Sequence, residues 1–170
     1  MDPSLFGRKL CICEKRGEKI GKTKAGKGSK VMLVSDGNGL LIGIHVTSAK
    51  PHEITLARKT LEAIRVPQKR GRPRNRPQEL AADKAYDSKS FRQYLRKRGI
   101  KPTIPRIKSQ KPKRGRPIQV GSAYRERWKI ERCFAWMDNC RRLVVRYDLY
   151  VHMYKAFCFM ALILWSVTKF

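Results

Sequence analysis

Residues 79–105, ELAADKAYDSKSFRQYLRKRGIKPTIP, decide the fold class. ELAAD is a short apolar run ending in an acid, the pattern of a brief buried strand followed by a loop. SKSFRQYLRKRG then reads as a helix, with Ser88 at the N-cap and Gly99 as the stop. IKPTIP is a second short extended piece. Upstream, VMLVSDGNGLLIGIHVTS (31–48) is two apolar runs around Asp36-Gly37-Asn38-Gly39, a hairpin signature. Residues 5–13 read as a further strand, and 17–30, GEKIGKTKAGKGSK, as a Gly- and Lys-rich loop without Walker spacing. Ile54, Ala57, Leu61 and Ile64 recur at helical spacing after Pro51, which suits a first helical position. A long helix is expected from Ser122 to about Arg142, and a buried apolar helix from about Tyr150. Strands mixed with helices argue for an α/β layer architecture built on one sheet.

The 170 residues are one domain's worth of chain, with basic linkers at 65–78 and 108–121. Lys and Arg number 40 against 13 Asp and Glu, a formal charge of +27. That much self-repulsion calls for a polyanion, and DNA phosphates release counterions to such a surface. The plainer alternative is a coat of solvated lysines. Five cysteines form no C-x-x-C pair and cannot all pair with one another, so they read as reduced core residues of a cytoplasmic protein. The apolar run Ala156–Val167 spans 12 residues, short of the roughly 20 that cross a bilayer.

Carboxylates are scarce here, so their placement is informative. Asp83 stands where a strand runs out, and functional groups of open α/β sheets gather at such ends. Glu131 lies four residues after Arg127 and seven after Tyr124, so the three share a helix face. Two acids aimed at one point from different elements suit Mg²⁺. The bland readings are a turn or N-cap role for Asp83 and a surface ion pair for Glu131, worth under about 1 kcal/mol. The segment KRGRP occurs twice, at 69–73 and 113–117. Arg70, Arg72, Arg114 and Arg116 are there placed to contact phosphates or a narrow minor groove. Trp128, Phe134 and Trp136, beside Ile130, Cys133 and Met137, read as core.

The stretches ADKAYDSKSFRQYLRKRGIKPTIP and YRERWKIERCFAWMDNCRRLVVRYD resemble the bacterial insertion-sequence transposases of the DDE group. More narrowly, they are similar to those with a Tyr-x-x-Arg-x-x-x-Glu-x-x-x-x-x-x-Lys signature. The resemblance implies a ribonuclease-H-like mixed sheet flanked by helices, with a helical C-terminal segment. It implies Mg²⁺ or Mn²⁺ as cofactor, and strand cleavage and transfer at transposon ends by a chain that can self-associate. Tyr124, Arg127 and Glu131 match the signature, and Asp83 matches the second catalytic Asp; Asp83 and Glu131 are thereby metal ligands.

Two positions depart from the pattern. The final Lys falls on Asp138. The first catalytic Asp, counted back from Gly21, falls on Gly7, and Asp2 is the only acid nearby that could act as a third ligand. The chain therefore reads as a copy that begins inside the catalytic domain. A DNA-binding remnant that occupies transposon ends without cutting, or a general basic nucleic-acid-binding module, are the alternatives.

Overall fold

The computed structural model describes residues 3–13, 16–24, 26–107 and 121–168. The described residues form one seven-stranded mixed sheet with helices on both faces. Strands β1 (Ser4–Cys13), β2 (Gly21–Thr23), β3 (Gly26–Ser35) and β4 (Leu41–Ser48) come first. Helix α1 (Glu53–Glu62), β5 (Glu79–Ala81), α2 (Lys89–Lys97) and β6 (Lys101–Thr103) follow. The rest is α3 (Ser122–Arg125), α4 (Trp128–Asp138), α5 (Arg141–Val144), β7 (Val145–Arg146) and α6 (Val151–Val167).

β3 lies between β1 and β4, antiparallel to both, while β5 and β6 add to the other side of β1 in parallel. An antiparallel meander of three long strands extended by two parallel strands is the ribonuclease-H-like order that the resemblance implied. Period-2 alternation splits the sheet into two cores. Leu5, Cys11, Val31 and Leu33 face α4 and α6, and Phe6, Met32, Val34 and Leu80 face α1 and α2. The β3–β4 turn forms as its residues dictate: Asp36 Oδ1 accepts from the N–H groups of Asn38 and Leu40 at 3.0 and 2.8 Å.

Several elements differ from the sequence expectation. The 17–30 loop contains β2, paired with β3 from Gly21↔Gly28 to Thr23↔Gly26. Pro51 is not in the first turn of α1; His52 is the N-cap and its Nδ1 accepts from Ile54 N–H at 3.5 Å. Ser88 does stand at the N-cap of α2, but its hydroxyl meets Ser90 instead of capping. The long helix after Ser122 is three pieces, because Arg127 leaves the helical ladder and Cys140 turns extended. Helix α6 is buried on one face only: Tyr154, Cys158, Ala161, Leu162 and Trp165 are covered, while Met160, Ile163, Leu164 and Val167 are 57–70% exposed. Trp128 is 48% exposed and stacks under the Arg132 guanidinium, so it is not core.

Candidate functional site

β5 ends at Ala81, beside Leu5 of β1. Two residues later Asp83 turns the chain into a short 3₁₀ turn, Lys84–Tyr86. Its Oδ1 accepts from Lys84 N–H at 2.6 Å, so the capping role is real. The same carboxylate looks across to α4. Arg127 stands at the N-cap of that helix, one residue outside its first turn, and reaches both acids. Its Nη1 lies 3.6 Å from Asp83 Oδ1, and its Nη2 lies 3.2 Å from Glu131 Oε1. Arg127 Nη1 also donates to Tyr124 Oη at 3.2 Å, with the guanidinium over that ring. Four residues named from the sequence, Tyr124, Arg127, Glu131 and Asp83, thus form one contact network despite the broken helix.

The network borders a cavity of about 210 Å³ lined by Gly7, Arg8, Glu53, Asp83, Arg127 and Glu131, with Phe6, Tyr86, Ile130 and Phe134 as its apolar wall. Gly7 is the position that counting back from Gly21 singled out. It faces α4 so closely that a Cβ would lie 2.7 Å from Phe134 Cε2 and 3.0 Å from Ile130 Cγ1. The Phe134 ring therefore stands where a side chain at position 7 would begin.

Glu53 was not foreseen. It sits in the first turn of α1, and Arg8 Nε of β1 lies 2.8 Å from its Oε2. Tyr86 stacks edge-on against Phe6, and burial, reinforced by the Glu53 charge, pushes its hydroxyl well above the usual range. Glu53 Oε2 is buried with Arg8 as its ion-pair partner, and Arg127 Nε is buried without a hydrogen-bond partner. The signal for Glu53 was its rarity: one acid at a helix start directly after a strand and its loop. The remaining named residues lie elsewhere. Asp138 pairs with Lys9 Nζ of β1. Val66 and Arg74 exchange two 2.9 Å backbone bonds, which set Arg70 and Arg72 at the exposed tip of a loop. Asp2, Arg114 and Arg116 lie outside the described residues.

The donor chemistry at the cavity fits a hard divalent cation: two partly exposed carboxylates from different elements, with room for water. Among the described residues no group of three His, Cys, Asp or Glu stands close enough to enclose one.

Residues 9–166 match the family model of the transposase DDE domain. The chain belongs to the transposase DDE domain family. Its function is therefore that of the family, DNA transposition, with DNA as partner and divalent metal ions in general use. Over 150 residues the chain is 33% identical to a protein of Burkholderia cepacia named as a transposase for insertion sequence element IS402, covering 86% of this chain and 67% of that one. It is also similar to a solved piggyBac transposase synaptic complex with hairpin DNA, with a TM-score of 0.44 and 14% identity over 69% of this chain and 27% of that chain. Among the described residues no helix is long and apolar enough to cross a membrane.

Proposed function

We propose that this transposase acts at insertion-sequence ends, in the cytoplasm, through a site centred on Asp83 and Glu131. The observation that carries the reading is the single guanidinium, Arg127, which reaches Glu131 on its own helix at 3.2 Å and Asp83 beyond β5 at 3.6 Å. Asp83 and Glu131 would hold Mg²⁺ or Mn²⁺. When bound, such an ion offsets phosphate charge and lowers the pKa of an attacking hydroxyl or water.

The chain's own residues do the rest. Asp83 is anchored by the Lys84 N–H, so its carboxylate has a fixed bearing on the cavity. Arg127 holds Glu131 near Asp83 and keeps two like charges tolerable at close range. A guanidinium there can also pair with a phosphate by two parallel bonds. Tyr124 accepts from Arg127 and so fixes the plane of that fork. Phe134 and Ile130 screen one wall from water. The reading extends the signature match to Tyr124, Arg127 and Glu131, and leaves Asp138 as a surface acid paired with Lys9.

A second reading, DNA binding without cutting, is favoured by Gly7, which supplies no carboxylate on β1. The experiment that separates the two is nicking of a transposon-end duplex with Mg²⁺. Nicking that disappears in both Asp83→Ala and Glu131→Ala supports the enzyme. Binding without nicking, unchanged in either variant, supports the DNA-binding reading.

A further inference from the structure

At the far end of the sheet, away from Gly7, lies a second cleft of about 540 Å³. It is lined by Arg16, Lys22, Lys27 and Lys50, with Gly17 and Gly21 in its wall. Lys22 and Lys27 are cross-strand partners in the β2–β3 ladder, where like charges directly opposite are destabilising. Among the described residues none of the four cations is ion-paired. Glu18, in the loop between Arg16 and Lys22, is engaged elsewhere: its Oε2 accepts from Val151 N–H at the start of α6. The cleft is also rigidly built. A Cβ on Gly17 would meet Leu149 O at 2.6 Å, and one on Gly21 would meet Ser48 Oγ at 2.4 Å and Lys50 Cγ at 3.0 Å. Four unneutralised cations on a fixed backbone are a standing electrostatic cost that a polyanion removes.

We propose that this cleft is a second phosphate-binding site, which grips the backbone of duplex DNA at a distance from the acid cavity. The inference rests on the reading of the chain as DNA-acting. Ile12 pairs with Gly28, and Gly28 with Gly21, so the cleft lies five residues beyond Gly7 along β1 and two strands across. That is about 20 Å from Gly7. The separation is within one turn of B-DNA, about 34 Å, so a single duplex can reach both places. The Gly- and Lys-rich segment that the sequence left without a role then has one: its glycines let the backbone pack closely, and its lysines hold phosphates.

The test uses the full chain and a random-sequence 30-base-pair duplex, because phosphate contacts do not read sequence. Affinity is measured by fluorescence anisotropy across a series of KCl concentrations. The triple variant Lys22→Ala, Lys27→Ala, Lys50→Ala is compared with Lys89→Ala, Arg96→Ala, Lys97→Ala, which removes equal charge from exposed positions of α2. The cleft variant is expected to flatten the log–log salt slope by about 2.7 and to weaken binding at least about tenfold at 0.1 M salt. The α2 variant should change binding less than about threefold, and arginine at all three cleft positions should restore it. Equal losses in the two alanine variants would overturn the proposal, because the effect would then be bulk charge alone. So would displacement of the duplex by inorganic phosphate at constant ionic strength, which would mark a small-anion site. Failure of the DNA reading itself would look different: the unaltered chain would not bind the duplex at all. All three replaced side chains are exposed, and melting by circular dichroism confirms that each variant is folded.

Discussion

Gly7 on β1 and Phe134 on α4 are locked together: the ring edge occupies the space into which any Cβ at position 7 would project, at 2.7 Å. The cavity holding Asp83 and Glu131 is closed on that side by an aromatic group instead of a carboxylate.

Gly7→Asp alone should therefore destabilise the fold by about 1–3 kcal/mol through overpacking. In a chain this size that lowers Tm by roughly 2–4 °C per kcal/mol. Combined with Phe134→Ala, the new acid has room. The double variant should then bind Mn²⁺ at least about tenfold more tightly than Phe134→Ala alone, a gain of about 1.4 kcal/mol. Titration calorimetry reads the difference, and equal affinities would mean that position 7 does not face the ion.

Arg127→Ala removes the resident cation from between the two acids. The two partly exposed pairs together are worth about 0.4–2 kcal/mol, so Mn²⁺ binding should tighten by roughly twofold to thirtyfold. DNA affinity should fall in the same variant. Titrations of the ion and of a duplex, run side by side, check both signs.

Asp87 anchors the return of the chain after β6. Its carboxylate accepts from Arg92 Nε at 2.8 Å and from Ile107 N–H at 2.9 Å. Burial opposes ionisation, but the Ile107 N–H and the Arg92 guanidinium outweigh it and hold the carboxyl below its ordinary value of 3.8. A depressed folded value means that the stabilisation is complete above the ordinary range and is lost as pH falls through the folded one. Asp87→Asn should cost about 1.5–3 kcal/mol at neutral pH, and the gap to wild type should close in acid. Thermal melts at pH 7 and pH 3 measure it.

His45 also loses its contribution in acid, but at a higher pH. Burial lowers its pKa, and Lys155, Lys59 and Lys19 add to the effect. The neutral ring is the folded form, so its contribution is full above the ordinary value of 6.5 and is lost as pH drops. His45→Gln should flatten the stability profile between about pH 7 and pH 5, as followed by urea midpoints.

The exposed tip formed by Arg70 and Arg72 should add phosphate contacts. Replacing both with alanine is expected to lower the salt slope by about 1.8 and to weaken binding to all duplexes alike. A loss confined to A·T-rich duplexes would point instead to minor-groove insertion.

What could be read from the sequence was local. Asp36-Gly37-Asn38-Gly39 announced its hairpin because the turn chemistry is self-contained in those side chains. Asp83 and Glu131 stood out because acids are rare in so basic a chain. Long-range contacts were illegible. Glu53 matters through Arg8, 45 positions away, and no spacing rule reports such a pair. The helix break at Glu126–Arg127 carried no marker in the sequence, since both are ordinary helix formers. The exposed side of α6 was hidden for another reason: its apolar residues encircle the helix, so periodicity could not tell the covered face from the open one.

The most direct measurement is a Mn²⁺ titration of the purified chain by electron paramagnetic resonance, with Asp83→Ala, Glu131→Ala and the double variant alongside. If the two acids share one ion, either single change removes the site and the double change adds nothing further. If each change leaves binding intact, or if their losses simply add as at separate sites, the two carboxylates do not work together and the proposed centre is wrong.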